Sequence, residues 1–152
     1  MRLSRHSDYA FRMLMHAALR APELVTVNDV ARAFHLSAAH LQKVAQTLAA
    51  RGYLATVRGR SGGLLLAQPP ESIRLGDVAA ISEPDFHLAP CMAESGETCP
   101  IYEPCILRAA LSSAARAFLA ELNKSTLADL IGRRKPLLVA LEKAAHFPPS
   151  GS

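Results

Sequence analysis

The sequence lacks the features that mark several large classes of protein. It contains no run of about 18 or more apolar residues, so no segment predicts a helix that spans a membrane. The opening residues, MRLSRHSDYAFRM, include neither the apolar stretch nor the small-residue cleavage site of a secretion signal. We therefore expect a cytoplasmic protein that has no membrane partner and whose thiols stay reduced.

The common catalytic patterns are also missing. The chain contains no HExxH motif, no Ser-His-Asp arrangement and no carboxylate pair that implies a substrate pocket. The glycine-rich stretch 58–63 lacks the Gly-Lys-Ser/Thr ending of a phosphate-binding loop and precedes a strand-like run rather than a helix. We interpret His16, His35 and His146 as structural or surface residues. These absences predict that the protein is not an enzyme.

Cysteine is scarce and confined to one stretch, with the spacing Cys91-x7-Cys99-x5-Cys105. The close Cys-x-x-Cys pairs that zinc prefers are absent. Wider spacings within a loop, with Pro100 and Pro104 beside two of the thiols, suit an iron–sulfur cluster enclosed by the backbone. The sequence therefore predicts that the three cysteines bind a metal or a cluster. A thiol redox switch and a zinc-binding module are the alternatives.

Three thiolates leave one coordination position for another side chain. Cys105 lies near the start of a predicted helix, where backbone N–H groups and the helix dipole favour the thiolate form. Asp8, distant in the chain, is one candidate for the fourth ligand. The local candidates are His87, Glu94, Glu97 and Glu103. On residue type alone His87 ranks first, because imidazole is a common metal ligand.

Charge is distributed unevenly along the chain. Residues 1–75 hold ten Lys or Arg and four Asp or Glu, whereas residues 76–152 hold seven and nine. Within the second part, residues 81–105 carry five acidic residues and no Lys or Arg. The basic half suits a polyanionic partner such as nucleic acid, and the acidic cysteine stretch does not.

Three helices are predicted in the basic half. The first has Ser7 as its cap, and the second begins after Thr26, which forms a capping box with Asp29. The third covers 38–51 and has Ser37 as its cap. Its buried stripe consists of Leu41, Val44, Ala45 and Leu48. Two short helices joined by a tight turn, the second with a polar outer face, indicate a helix-turn-helix.

A basic hairpin follows at the place where a winged helix has its wing, with strand-like runs over 53–57 and 64–67. An arginine at a hairpin tip can enter the narrow minor groove of DNA, and the outward side chains of the third helix suit the major groove. The residues predicted to contact DNA are Ser37, His40, Gln42, Lys43, Gln46, Arg58, Arg60 and Ser61.

The predicted organisation has four parts. Residues 1–80 form a winged helix-turn-helix domain, and residues 81–105 form a cysteine-rich loop that binds the cluster. Residues 106–146 form a long helix followed by shorter ones, and the apolar stripe of the long helix suits pairing with a second copy of the chain. Residues 147–152 form a loose tail. The predicted fold class is mainly α with a small β-hairpin wing.

The order of these motifs resembles the Rrf2 family of winged-helix regulators over nearly the whole chain. The matching stretches are Asp8-Tyr9-Ala10, Leu41-Gln-Lys-Val, Thr56-Val-Arg-Gly-Arg-Ser-Gly-Gly, the three-cysteine loop and Ser125-Thr-Leu-Ala-Asp-Leu. The resemblance implies a homodimeric transcription repressor that binds imperfect palindromes of double-stranded DNA. It also implies that the long helix mediates pairing and that the cysteines hold an iron–sulfur cluster that controls DNA affinity.

Within this family the chain looks most similar to the regulators that sense nitric oxide. That resemblance implies a 4Fe-4S cluster whose fourth ligand is Asp8 of the partner subunit, which places Asp8 above His87; a 2Fe-2S cluster is the alternative. Arg108 stands where the family's regulators of cluster biogenesis have a histidine ligand. The seven residues between Cys91 and Cys99 exceed the spacing typical of the nitric-oxide sensors. An iron-responsive regulator, a branch with a comparably long spacing, is therefore the alternative function.

Overall fold

The computed structural model describes residues 2–83, 86–93 and 99–146. Two of the candidate ligands, Glu94 and Glu97, lie outside these ranges, as does the predicted tail at 147–152. Within the described ranges the chain is mostly helical, with one two-stranded antiparallel hairpin. None of the helices found there is long and apolar enough to cross a membrane.

The elements follow one another in the order that the sequence predicts. The helices are α1 (Arg5–Arg20), α2 (Val27–Phe34), α3 (Ala38–Ala50), α4 (Leu75–Ser82), α5 (Ile106–Leu122), α6 (Leu127–Leu130) and α7 (Arg134–His146). The strands are β1 (Leu54–Val57) and β2 (Gly63–Leu66), and short 3-10 turns cover Pro70–Ser72 and Pro90–Met92.

The caps of the first two helices differ in how well the sequence predicts them. Ser4, and not Ser7, caps α1, because the Ser4 hydroxyl accepts a hydrogen bond from the Ser7 backbone N–H at 3.2 Å. Ser7 is instead buried, where its hydroxyl accepts a hydrogen bond of 2.9 Å from Ser82 at the end of α4. The capping box of Thr26 and Asp29 at the start of α2 is confirmed.

The core of the basic half lies between α1, α2 and α3. The four apolar residues predicted for the inner face of α3 are all buried, which confirms that stripe. Met13 and Leu14 of α1 are also fully buried within the same core. Ser37 occupies the cap position of α3, but its side chain makes no capping hydrogen bond there. The apolar stripe, rather than the cap, therefore fixes the orientation of α3 and turns its polar face outward.

The wing is joined to the helical core through the loop between α1 and α2. In the hairpin, Leu54 pairs with Leu66 and Val57 pairs with Gly63. Val25, in the α1–α2 loop, exchanges two backbone hydrogen bonds with Leu64, at 3.0 and 2.7 Å. The wing is thereby held against the helix-turn-helix on one side and is free at its tip.

The long helix α5 is fastened by its C-terminal end to α4. Gly76 makes close approach possible, because a Cβ at this position would lie within 3.0 Å of the Leu119 carbonyl oxygen. Asn123 then exchanges two hydrogen bonds with Asp77, at 3.0 and 2.9 Å, and its carbonyl oxygen accepts a third from Arg74 at 2.8 Å. Hydrogen bonds therefore join this end of α5 to α4.

Candidate nucleic-acid interface and cysteine cluster

The outer face of α3 is polar and open to solvent. Five of the predicted DNA-contacting residues lie on or next to this helix, and all five are exposed: Ser37, His40, Gln42, Lys43 and Gln46. Because the opposite face of the helix is locked in the core, these side chains project away from the protein body. That arrangement is the one by which a recognition helix enters the major groove of DNA.

A shallow basic groove extends the face of α3 toward the start of α1. It measures about 210 Å³, and its lining includes Arg5, His6 and Tyr9 of α1 together with His40 and Lys43 of α3. The rings of Tyr9 and His40 lie 6.5 Å apart, which places the first turns of α1 against the recognition helix. Arg5 and His6 are functional candidates that the sequence analysis missed, because no local pattern relates them to α3.

The tip of the wing carries the remaining predicted contacts. Arg58, Arg60 and Ser61 are exposed, and neither guanidinium makes a hydrogen bond or ion pair within the part of the chain that the structure describes. Gly59 adopts a φ of +120°, a conformation that favours glycine and allows the tight turn between the strands. Two unpaired arginines on a narrow projection are suited to phosphates or to a minor groove.

The three cysteines lie on two described segments separated by an undescribed one. All three are half-buried, and all are free thiols. Cys91 lies in a 3-10 turn that contacts α5, and Cys105 is the residue from which α5 begins. The Cys99 carbonyl oxygen accepts a hydrogen bond of 3.0 Å from the Tyr102 backbone N–H, which folds the segment between Cys99 and Cys105 into a turn.

A cation packs on that turn. The Arg108 guanidinium lies 4.0 Å from the centre of the Tyr102 ring and donates a hydrogen bond of 2.9 Å to the Tyr102 hydroxyl. Arg108 is one helical turn beyond Cys105, at the position discussed above for a histidine ligand. In this chain that position contacts the loop from outside and offers no lone pair to a metal.

Asp8 lies in the first turns of α1, beside the end of α4. Its carboxylate pairs with Arg12 at 3.0 Å, and the two side chains are 45% and 40% exposed. Asp8 also lines a cleft of about 510 Å³ with Arg5 and Glu83. Glu83, on the same cleft, accepts a hydrogen bond of 2.8 Å from the Ser4 backbone N–H. The Asp8 carboxylate is paired with Arg12 but is still accessible from solvent.

The two other described candidates for the fourth ligand lie in different surroundings. His87 is exposed and lines an apolar cavity of about 530 Å³ with Phe86 and Phe118, whose rings lie 6.2 Å apart. Glu103 is exposed in the turn between Cys99 and Cys105. Neither residue forms a site with the cysteines within the described ranges.

The cysteine side chains fit an iron–sulfur cluster by their chemistry. Thiolates are the usual ligands of such clusters, and the three thiols here are neither paired in disulfides nor buried beyond reach. Among the described residues, however, no three His, Cys, Asp or Glu side chains lie close enough together to hold a metal ion. Binding a cluster would therefore require Cys91, Cys99 and Cys105 to converge at the N-terminal end of α5.

The N-terminal half of α5 presents an uncovered apolar surface beside the cysteines. Ile106 is 84% exposed, Leu107 is 64% exposed, and Ile101 in the preceding turn is 60% exposed. No residue of α5 is fully buried within this single chain. A contiguous apolar surface of this kind is typical of a protein interface.

A buried apolar stripe under an exposed polar helix, together with a basic wing, defines a winged helix-turn-helix DNA-binding protein. A family model described as Rrf2, iron-dependent transcriptional regulator, matches residues 3–133. The chain belongs to the Rrf2 family. It is thus a transcription regulator and not an enzyme, as the sequence predicts.

Two curated relatives match nearly the whole chain. One is the HTH-type transcriptional regulator NsrR of Bacillus subtilis (strain 168), which is 36% identical over 143 residues that cover 93% of this chain and 98% of the relative. Another is protein aau3 of Rhizobium meliloti (strain 1021), which is 40% identical over 146 residues that cover 94% of each chain. The chain is therefore NsrR-like within its family.

The fold is also found among solved structures. The structure of T. potens IscR superimposes with a TM-score of 0.67 at 20% sequence identity, and the match covers 90% of each chain. At this identity the likeness concerns the fold alone, and it confirms the predicted mainly α architecture with a hairpin wing.

Proposed function

We propose that the protein is a homodimeric repressor whose affinity for DNA depends on an iron–sulfur cluster bound by Cys91, Cys99 and Cys105. The observation that supports this proposal most is the presence of three free, half-buried thiols, one at the start of α5 and two in the segments before it, in a member of an iron-dependent regulator family. The proposed form is a 4Fe-4S cluster, with 2Fe-2S as the alternative. The likeness to NsrR over most of the chain supports nitric oxide as the signal and the cytoplasm as the location.

The proposed DNA complex uses both elements of the winged domain. The exposed side chains of α3 contact bases in the major groove, and Arg58 and Arg60 of the wing reach the adjacent minor groove. Two copies of the recognition helix must stand about one helical turn apart, roughly 34–36 Å, to read an imperfect palindrome. The spacing of the two helices therefore decides affinity.

A change at the dimer interface would change the position of the recognition helix through α5. Its exposed apolar face at Ile106 and Leu107 suits pairing with the same face of a second copy. Its other end is hydrogen-bonded to α4 through Asn123, so a change at the dimer axis would rotate the winged domain with it. The cysteine loop adjoins the end of α5 that is proposed to pair with the second copy. A group bound by this loop would therefore change the angle between the two α5 helices most directly.

Asp8 of the partner subunit is the proposed fourth ligand. Its half-exposed carboxylate is available, and the turn that carries it also places Tyr9 against His40 of the recognition helix. A bound cluster would supply iron, which nitric oxide attacks readily. Loss of the bond to Asp8 would detach α1 of one subunit from the cysteine loop of the other. The Asp8 carboxylate would then keep only its ion pair with Arg12. A coupling of about 3 kcal/mol would weaken DNA binding by roughly 150-fold.

One feature favours a second candidate function. Seven residues separate Cys91 from Cys99, and this long spacing favours an iron-responsive regulator. In that case the cluster would be lost when iron is scarce, and DNA release would follow iron supply rather than nitric oxide.

The two candidates are separated by titrating the anaerobic holo-protein on its operator with nitric oxide and, in parallel, with an iron chelator. Release at about one to a few equivalents of nitric oxide, with binding retained under mild chelation, supports the nitric-oxide sensor. Release by the chelator with retained binding under nitric oxide supports the iron sensor. Zinc or metal-free protein that still binds DNA in a thiol-dependent way would replace both with a thiol or zinc regulator.

The role of Asp8 is tested by Asp8→Ala with Arg12→Gln as its matched control. Both substitutions remove the ion pair of 3.0 Å, but only the first removes the carboxylate. We expect Asp8→Ala to change the visible absorption and circular dichroism of the cluster, and Arg12→Gln to leave both nearly unchanged. Identical spectra for Asp8→Ala and the unmodified protein would remove Asp8 from the site.

A further inference from the structure

A cavity behind the helix-turn-helix lies apart from the proposed DNA contacts and from the cysteines. It measures about 320 Å³ and lies where α1, the α1–α2 loop and α2 meet the C-terminal helix α7. Its walls combine an apolar lining with charged groups of both signs. The apolar lining comes from Leu24, Val25, Ala33 and Leu141, and the polar lining consists of His16, Arg20, Glu23, Asp29, Arg32 and Glu142. The volume falls within the range of small-molecule sites.

His16 contributes a buried polar atom that has no partner among the described residues. The residue is 4% exposed, and its Nδ1 is buried without a hydrogen bond to any of them. The ring packs edge-on against Phe34, with 6.0 Å between the ring centres. Leaving such an atom unpaired costs free energy, and a buried unpaired polar atom beside a cavity is a place where a ligand can restore the missing hydrogen bond.

Charged groups of both signs face the cavity with His16. The Arg20 guanidinium is half-buried and makes no hydrogen bond or ion pair to any described residue. Arg32 is already paired with Asp29 at 3.2 Å. Arg20 is therefore the cation of the cavity that can bind the negative group of a ligand. The exposed carboxylate of Glu23 lies on the loop at the same cavity. Besides the Arg32–Asp29 pair, the lining thus has one cation, Arg20, and two carboxylates, those of Glu23 and Glu142.

This combination favours one class of ligand over others. A metal ion is disfavoured, because no three metal-binding side chains converge among the described residues. A simple anion would meet the carboxylates of Glu23, Asp29 and Glu142 as well as the Arg20 guanidinium. A dipolar molecule satisfies both signs, because a carboxylate can bind Arg20 while an ammonium group binds Glu23.

We infer that this cavity binds a zwitterionic small molecule of the α-amino acid class. Its carboxylate accepts hydrogen bonds from the Arg20 guanidinium and from the His16 ring, and its ammonium group pairs with Glu23. Its side chain lies against Leu24 and Leu141. Neither the cysteines nor Asp8 takes part in this site.

The cavity is placed to influence DNA binding. One wall is the loop residue Val25, which is hydrogen-bonded to Leu64 in the wing at 3.0 and 2.7 Å. A second wall is α2, which packs on the recognition helix, and α7 lies across α2 from the other side. A bound molecule that joins α7 to α2 and to the loop therefore restrains the wing and the recognition helix together. We expect DNA affinity to change when the cavity fills.

The test is calorimetric titration of the anaerobic holo-protein with a panel of the common L-α-amino acids. Each compound is compared with its N-acetyl and carboxamide derivatives, which remove one of the two charges. Arg20→Gln is the diagnostic variant, and Arg116→Gln, an exposed cation on α5, is the matched control. We expect at least one amino acid to bind, both of its derivatives to bind roughly tenfold or more weakly, and Arg20→Gln to show the same loss.

Two results would overturn the inference. One is the absence of measurable heat for every amino acid at millimolar concentration with a protein that still binds its operator. The other is equal binding by Arg20→Gln and Arg116→Gln, which would move any amino acid site away from this cavity. Circular dichroism of Arg20→Gln confirms that the variant is folded. The cavity contains none of the proposed cluster ligands. A negative result in this titration therefore does not contradict the proposed cluster-dependent repressor, and amino acid binding can still be measured if the protein has no cluster.

Discussion

At the scale of single residues, the wing arginines are exposed and make no hydrogen bond or ion pair to any residue that the structure describes. Arg60 projects from the hairpin tip, beyond the hydrogen bonds that hold the wing to the core. We predict that Arg60→Ala weakens binding to the operator and reduces the slope of log affinity against log salt by about one, because one phosphate or groove contact is lost. Electrophoretic retardation at several salt concentrations measures both quantities.

The control for this prediction is Arg116→Ala, which removes an exposed arginine of α5 instead. Operator affinity that falls equally in both variants would indicate a general effect of net charge rather than a contact made by the wing. An intact cluster spectrum in each variant is needed for the comparison.

His16 gives a second prediction at this scale. Burial, and then the nearby Arg20 guanidinium, lower the pKa of His16 below its usual value of 6.5, and the Asp29 carboxylate opposes this shift. The unfolded chain therefore binds the proton more readily than the folded chain. The stabilisation that follows is complete above about pH 6.5 and is lost as the pH falls below that value, with a slope of at most about 1.4 kcal/mol per pH unit.

We expect His16→Gln to remove that pH dependence, because glutamine does not titrate. Urea unfolding of the cluster-free protein at pH 7.5, 6.5 and 5.5 measures the effect without contributions from cluster loss. The same fall in unfolding free energy between pH 6.5 and 5.5 in both proteins would show that His16 is not the titrating group.

At the scale of elements, Gly76 sets how closely α5 can approach α4. In an exposed helix, replacing glycine by alanine stabilises by up to about 1 kcal/mol. Here the added methyl group would collide with the Leu119 carbonyl oxygen and with Asn123, so we expect Gly76→Ala to destabilise the protein by about 1–3 kcal/mol. Thermal or urea unfolding measures the change.

Gly132→Ala serves as the matched control for this contact. A Cβ at Gly132 would lie 3.3 Å from its nearest neighbour, the Asp129 carbonyl oxygen, which requires only a small adjustment. A Gly76→Ala protein that is as stable as Gly132→Ala would mean that α4 and α5 can separate without cost.

The elements also show which parts of the structure were predictable from sequence. The capping box of Thr26 and Asp29 and the buried stripe of α3 depend on residues three or four apart, so local spacing was sufficient. The cap of α1 was assigned wrongly because Ser4 and Ser7 are equivalent by local pattern. A hydrogen bond from Ser82, 75 positions away, decides between them by burying Ser7.

The same distinction applies to the candidate sites. The exposure of the predicted DNA-contacting residues on α3 and at the wing tip follows from helical periodicity and from the placement of glycine. Arg5 and His6 were missed because their position beside Lys43 depends on the packing of α1 against α3. The cavity at His16 was missed for the same reason, because its lining comes from residues 16–33 and from residues 141 and 142, which are far apart in the sequence.

At the scale of the whole molecule, the exposed apolar end of α5 is the proposed contact surface for a second copy of the chain. We predict that Leu107→Glu converts the dimer to a monomer, because it buries a charge at the centre of the proposed interface. Ala109→Glu, on the opposite face of the same helix, should leave the dimer intact. Sedimentation velocity distinguishes the two outcomes, and dimers of equal stability in both variants would place the interface elsewhere.

The central proposal is that cysteines, partner subunit and DNA-binding domain act as one unit around an iron–sulfur cluster. Native mass measurement of the anaerobically purified protein tests this most directly, because it reports the oligomeric state and the bound iron and sulfide together. The proposal predicts a dimer that carries one 4Fe-4S cluster per subunit and that loses it when Cys91, Cys99 or Cys105 is replaced. A dimer or monomer without iron and sulfide from the same anaerobic preparation would contradict it.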